Sequence, residues 1–81
     1  MATRNDLQTW VVEALRRADG SAYLIHIARD IWAHHGAELR QSGDLFYTWQ
    51  YDMRWAGTRL REQSVLEPNG KGQPWRLLNR E

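Results

Sequence analysis

The 81-residue sequence contains no cysteine, only two prolines and a single phenylalanine. Without cysteine it has neither a disulfide framework nor a thiolate metal site, which excludes the zinc-finger class. Its longest apolar run, residues 22–25, is far below the roughly 18 residues of a membrane span. The first residues also lack the apolar segment of a secretion signal. We therefore expect a cytoplasmic protein, with no membrane partner, whose fold is held by packing.

Material for catalysis is also scarce. A chain this short buries only about 60% of its unfolded surface, so residues 1–81 are predicted to form one domain without a deep pocket. His26, Asp30 and His34 repeat at i, i+4 spacing, but a metal site would need a fourth ligand that the sequence does not offer. We predict no enzyme activity, no catalytic residue, no metal, no cofactor and no small-molecule substrate.

Charge is unevenly distributed along the chain, although the net charge is only +1. Residues 1–53 carry five arginines against seven acids, whereas residues 54–81 carry six basic residues against three acids. Ten of the eleven basic residues are arginine, which suits bidentate contacts with phosphate and guanine. A charge bias is also common on an ordinary solvated surface, so alone it does not assign a partner.

Hydrophobic periodicity predicts two helices in the first half of the chain. Helix 1 is predicted at about 6–18 and helix 2 at about 24–35, where Gly36 supplies a stop signal. Residues 36–44 carry Gly, Ser and Asp without sustained periodicity, so they are predicted to form a loop. The five tryptophans are spread over the whole length, as expected if large rings fill a small core.

Helix 3 is predicted at about 45–63, with Asp44 or Thr48 as its N-cap. Its apolar stripe consists of Leu45, Trp49, Met53, Ala56 and Leu60. The opposite face has hydrogen-bonding and aromatic side chains and no acid, namely Tyr47, Gln50, Tyr51, Arg54, Thr58 and Arg61. This face is the candidate binding surface.

Residues 64–78 contain two strand-like pieces, and Asn69-Gly70 between them predicts a tight turn because both residues tolerate positive φ. The second piece includes Pro74, which a strand tolerates at a sheet edge. Its Arg76 is predicted to point away from the core. The result is a basic hairpin attached to three helices.

Helix, short strand, helix, loop, helix and hairpin is the order of a winged helix-turn-helix domain. The predicted fold class is therefore α+β, mainly α, with three helices and a C-terminal β-hairpin wing over about 64–78. Helix 3 would enter the major groove, which is about 12 Å wide. Gln50 and Arg54 suit base edges, while Lys71 and Arg76 of the wing suit phosphates. Backbone contacts are expected from Tyr47, Tyr51, Thr58 and Arg61.

The segments WQYDMRWAGTRLREQSVL and GQPWRL resemble the N-terminal winged-helix domain of Mrr-type restriction endonucleases. Gly43 in the loop before helix 3 is similar as well. With the first two helices the resemblance covers nearly the whole chain, although only the Trp-Ala segment and the hairpin are specific. The matching residues are Trp49, Met53, Trp55, Ala56, Leu60, Leu66, Gly72, Trp75, Arg76 and Leu77.

This resemblance implies DNA binding by the winged helix, with cleavage left to a separate nuclease domain for which these residues leave no room. We expect a bacterial, restriction-related module that binds double-stranded DNA in the nucleoid, as a small transcriptional regulator or a nucleoid-associated protein. The alternative is a winged helix for protein–protein interaction or homodimerisation, with Tyr47, Tyr51 and Trp55 as candidate anchors.

The sequence departs from the family's pattern at the end of helix 3. Ser64 stands where the family usually has a glycine. Either the helix boundary is shifted, or Ser64 takes a positive φ at a cost of about 1 kcal/mol.

Overall fold

The computed structural model describes residues 2–78. The chain is mainly helical, of the α+β type, with three helices and one two-stranded antiparallel sheet. No helix within the described residues is both long and apolar enough to cross a membrane. The elements are α1 (Asp6–Arg17), β1 (Ser21–Ala22), α2 (Leu24–Arg40), α3 (Leu45–Glu62) and β2 (Trp75–Arg76).

Helix α1 agrees with its prediction to within one residue at the C-terminal end. Its apolar stripe is buried at Leu7, Trp10, Val11, Ala14 and Leu15. The helix ends at Arg17. Asp19, two residues later, has a φ of 61°, and the N–H of Gly20 donates to the carbonyl of Leu15 at 2.7 Å. This bond satisfies a carbonyl that the helix itself leaves without a partner.

Helix α2 continues beyond the predicted stop, and the predicted loop 36–44 is wrong over its first five residues. Gly36 is buried within the helix, where the ring of Trp32 occupies the space beside it, 3.4 Å from the position that a Cβ would take. Leu39, one turn further on, is fully buried and extends the apolar stripe. The glycine is therefore a packing position, and the connection to α3 consists of residues 41–44.

Helix α3 buries its whole predicted stripe, from Leu45 to Leu60. Neither predicted N-cap makes a capping hydrogen bond: Asp44 has none, and the Thr48 hydroxyl donates to the carboxylate of Asp52 at 2.8 Å. At the other end Ser64 has a φ of 62°, so the residue is strained and the boundary is not shifted. The N–H of Val65 closes the helix by donating to the carbonyl of Leu60 at 2.9 Å.

The sheet differs from the predicted wing over 64–78. Its two strands are β1, between the first two helices, and β2. The first strand-like piece contributes one bridge, between Leu66 and Leu77. Because β2 lies between β1 and this bridge, it is not a sheet edge. Pro74 is tolerated because it precedes the strand, where its missing N–H is not needed.

The turn of the C-terminal hairpin (residues 65–78) is shifted from the prediction. Its positive φ belongs to Gly72, at 80°, and neither Asn69 nor Gly70 has one among the described residues. The N–H of Gln73 donates to the carbonyl of Gly70 at 3.1 Å. This places Lys71 and Gly72 at the tip, since a φ near 80° at the third residue is typical of a type II turn.

Trp75 fixes the hairpin to α3. Its indole packs so closely against Gly57 that a Cβ there would lie 2.5 Å from the ring atom Cη2. Of the other tryptophans, Trp10 and Trp49 are buried, whereas Trp32 is 36% exposed. The expectation that tryptophans fill the core therefore holds for three of the five, with Trp55 half-buried.

We predict opposite effects for the same substitution at two helical glycines. Gly57→Ala should destabilise the protein by about 1–3 kcal/mol, because the new methyl group overlaps the rigid Trp75 ring. Gly36→Ala should stabilise it by about 0.5–1 kcal/mol, because its Cβ would make an ordinary contact with Trp32 and alanine favours helix. Urea unfolding measures both. Equal signs for the two variants would contradict the packing described for Trp75.

An ion pair joins α1 to α2. Arg17 donates from Nε to Oδ2 of Asp30 at 3.0 Å and from Nη2 to Oδ1. This hydrogen bond and the charge of Arg17 hold the pKa of Asp30 below its usual range, against the opposing effect of burial. The same bond raises the pKa of Arg17.

We predict that this ion pair makes the free energy of unfolding depend on pH in the acidic range. The pKa of Asp30 is lower in the folded state than in the unfolded state, where it is about 3.9. The ionised Asp30 therefore stabilises the fold at a pH above that unfolded-state pKa. This stabilisation is lost as the pH falls through the folded-state pKa. Asp30→Asn should destabilise the protein by about 0.2–1 kcal/mol at neutral pH, since solvent screens the pair. Unfolding curves of the two proteins should converge as the pH falls through the lowered pKa of Asp30. A difference that stays constant with pH would refute the assignment.

Candidate nucleic-acid interface

The exposed face of α3 carries most of the predicted binding residues. Because the apolar stripe faces the core, Gln50, Arg54 and Thr58 are exposed on the opposite side. Tyr47 is 83% exposed and Tyr51 is 76% exposed. These two rings contribute little to the core, so their large apolar surfaces are available for contact.

A groove of about 580 Å³ runs between α3, the C-terminal hairpin and the start of α2. On the α3 side it is lined by Arg54, Thr58 and Arg61, and on the hairpin side Lys71 is the one charged residue. Four of the eight predicted binding residues therefore share one surface. The lining residues include three cations and no acid.

Arg61 is held in the groove by the tryptophan that fixes the hairpin. Its Cζ lies 4.9 Å from the centre of the Trp75 ring, within the range of a cation–π contact. Its Nε is buried without a hydrogen-bond partner. The stacking fixes the direction of the side chain, and the guanidinium keeps donor capacity for a ligand.

Side-chain hydrogen bonds define the shape of the hairpin tip. Asn69 Nδ2 donates to the carbonyl of Gln73 at 3.2 Å, and the N–H of Gly70 donates to Gln73 Oε1 at 3.3 Å. Lys71 is exposed at the tip and lies on the rim of the groove. An ammonium group on a braced turn is well placed for a phosphate.

The groove cations are not neutralised from within the described part of the chain. Arg54, Arg61 and Lys71 form no ion pair there, whereas Arg59 on the adjacent face of α3 pairs with Glu62 at 3.2 Å. Within that part of the chain the positive charges in the groove are thus free of ion pairs, whereas the charge of the neighbouring Arg59 is compensated by Glu62. Such an arrangement attracts an external polyanion.

The other predicted binding residues lie outside this groove. Tyr47 and Tyr51 extend from α3 towards solvent, and Gln50 lines a second cleft between α2 and α3. Arg76 lies on the far face of β2, where it lines a different depression together with Asp19. The alternation along the strand turns Trp75 inward and Arg76 outward.

Sequence reasoning did not identify the contribution of α2 to the groove. Tyr23 and Ile25 line it and are 52% and 58% exposed. Ile25 lies outside the apolar stripe of α2, and an apolar residue at such a position is expected to be exposed. This was the sequence signal that could have identified it. Gln73 was also missed, because its role depends on the turn geometry.

Among residues 2–78 no group of three or more His, Asp or Glu could hold a metal ion. Asp30 is bound to Arg17, and His34 Nδ1 lies 2.9 Å from the backbone carbonyl of Asp30. His35 stacks on Trp10 with ring centroids 4.0 Å apart.

Comparison with known proteins does not assign a family. No family model matches the chain, and neither the curated proteins nor the solved structures include a significant match. A functional proposal for this protein therefore depends on the geometry and charge of its own surface.

Proposed function

We propose that this protein is a winged helix-turn-helix module that binds double-stranded DNA, with α3 in the major groove and the C-terminal hairpin as the wing. The observation that carries the proposal is the groove between α3 and the hairpin, where Arg54, Arg61 and Lys71 face one surface without an acid. Three cations without an acidic partner along one groove suit a phosphate backbone, whose charge dominates the affinity of proteins for DNA.

The dimensions of α3 support the insertion of this helix. An α-helix with its side chains is about 10–12 Å in diameter, which fits the major groove, about 12 Å wide, and the 18 residues of α3 make it about 27 Å long at ~1.5 Å per residue. Gln50 and Arg54 lie one turn apart on its exposed face, and both residue types read base edges with paired hydrogen bonds. Tyr47, Tyr51 and Thr58 are exposed beside them and suit phosphate oxygens.

The order of elements supports the winged-helix assignment. The short strand β1 between the first two helices pairs with β2 of the hairpin, which ties the wing to the helical body. The resemblance to the Mrr-type N-terminal domain leads to the same proposal. We propose a non-catalytic role in the nucleoid, as a small transcriptional regulator or nucleoid-associated protein.

The proposal predicts a salt-dependent affinity for duplex DNA. Fluorescence anisotropy with a random duplex of about 20 base pairs, between roughly 50 and 300 mM salt, should give a linear fall of log affinity against log salt. Lys71→Ala should weaken binding and reduce the slope by about 1, because it removes a phosphate contact, and Arg54→Ala should also weaken binding. Each removes one phosphate or base contact without disturbing the core, because both side chains are exposed.

Arg16→Ala is the matched control, since Arg16 is an exposed arginine of α1 outside the groove. It removes the same charge and should leave the slope nearly unchanged. Loss of affinity to the same extent in this variant would show that net charge, and not the groove, binds DNA. Absence of binding at low salt would refute the proposal.

A second candidate function is homodimerisation through α3. It is favoured by the exposure of Tyr47 and Tyr51, since aromatic residues anchor many protein interfaces. Light scattering separates the two: a monomer that binds duplex DNA supports the first function. A stable dimer that is disrupted by Tyr47→Ser and Tyr51→Ser supports the second.

A further inference from the structure

A second cleft, of about 450 Å³, lies between α2 and the first half of α3. On α2 its lining residues include Ile25, Arg29 and Trp32, which follow i, i+4, i+7 spacing. On α3 they include Phe46, Trp49 and Gln50, which follow i, i+3, i+4 spacing. Two neighbouring helices thus present the faces that would normally pack against a third helix.

The surface of this cleft is aromatic and apolar. Trp49 is buried and forms the floor, and the ring of Trp32 stacks on it with centroids 6.0 Å apart and an interplanar angle of 11°. Phe46 is half-buried beside them, with its ring centroid 6.3 Å from that of Trp32. Ile25 at the rim is 58% exposed. Contact with an apolar partner would remove this surface from water.

The charges around the cleft have one sign. Arg29 is the one charged residue in its lining, and within residues 2–78 it forms no ion pair. Arg40 lies over the ring of Trp32, with its Cζ 4.8 Å from the ring centre. A protein partner of this cleft should therefore combine an apolar stripe with carboxylates.

We propose that the α2–α3 cleft binds an amphipathic α-helix of a partner protein, with Asp or Glu beside the apolar stripe of that helix. The apolar side chains contact Trp32, Phe46 and Ile25, and the carboxylates pair with Arg29. A cleft between two packed helices can hold a third helix, whose own side chains at i, i+3, i+4 and i+7 would contact the lining. The inference does not depend on DNA binding.

A designed peptide provides the test. The probe is a helical peptide of about 16 residues, with leucines at i, i+3, i+4 and i+7 and glutamates flanking them. A second peptide has the same sequence with lysine at every glutamate position. Both are titrated into the 81-residue protein, and amide and indole chemical shifts are recorded. The glutamate peptide should shift Trp32, Trp49 and the amides of 25–33, with a Kd below about 0.5 mM, and the lysine peptide should bind about tenfold more weakly.

Charge reversal separates the cleft from the cationic groove. Arg29→Glu should weaken the glutamate peptide about tenfold and strengthen the lysine peptide. Arg54→Glu is the comparison variant, since this exposed arginine lines the other groove, and it should change either affinity clearly less than Arg29→Glu does. A loss of protein stability in the variant would weaken both peptides and would not exchange the order of their affinities.

Three results would overturn the proposal. The first is the absence of shifts at Trp32 and Trp49 with about 1 mM glutamate peptide. The second is a loss of affinity for the glutamate peptide in Arg54→Glu that equals the loss in Arg29→Glu, which would place the peptide in the cationic groove. The third is a concentration-dependent shift of the same signals in the protein alone, which would assign the cleft to a second copy of the chain. No nucleic acid enters these measurements, so their failure leaves the DNA-binding proposal to its own test.

Discussion

The packing of Trp75 on Gly57 is the contact on which the arrangement of this molecule depends. The hairpin has little sheet of its own, because β2 is two residues long and Leu66 contributes a single bridge. A pair of strands this short is not stable alone in water, so its position is set by the indole ring that it buries against α3. The close approach requires glycine at 57. It brings Lys71 to the groove that already holds Arg54, and the same ring stacks on Arg61. The core and the candidate interface therefore share one contact.

The distribution of ion pairs explains why a chain with a net charge of +1 can present a cationic groove. Two arginines are compensated locally, Arg17 by Asp30 and Arg59 by Glu62, and neither lies in the groove. Acids elsewhere are also engaged: Glu13 and Glu38 contact His35. The cations that remain without a carboxylate include those between α3 and the hairpin. A local field is set by such groups within about one Debye length, ~8–10 Å, and not by the sum over the chain.

Periodic features were predicted from the sequence, and features set by tertiary contacts were not. The stripe of α3 and the existence of three helices follow from spacing alone, because burial of an apolar face dominates the placement of a helix. Gly36 was misjudged because its stop signal is local, whereas the neighbouring Trp32 ring and the buried Leu39 keep the helix intact. The turn was placed too early because Gly72, and not Asn69-Gly70, has the positive φ. The pairing of β1 with β2 joins residues more than 50 positions apart, which no local pattern specifies. The α3 residues of the groove and Lys71 were therefore predictable, and the contribution of Tyr23 and Ile25 was not.

The first turns of α2 lie between the two surfaces, and this has a consequence for how they would work together. Ile25 lines both the cationic groove and the α2–α3 cleft, and Gln50 lines the cleft while facing outward on α3. A side chain that is packed against a docked helix is not free to reach a base edge, so on both proposals the two ligands oppose each other at Gln50. Linkage makes this opposition reciprocal: the partner helix lowers the affinity for DNA by the same factor by which DNA lowers the affinity for the helix. Two partners that share one helix face couple through direct contact.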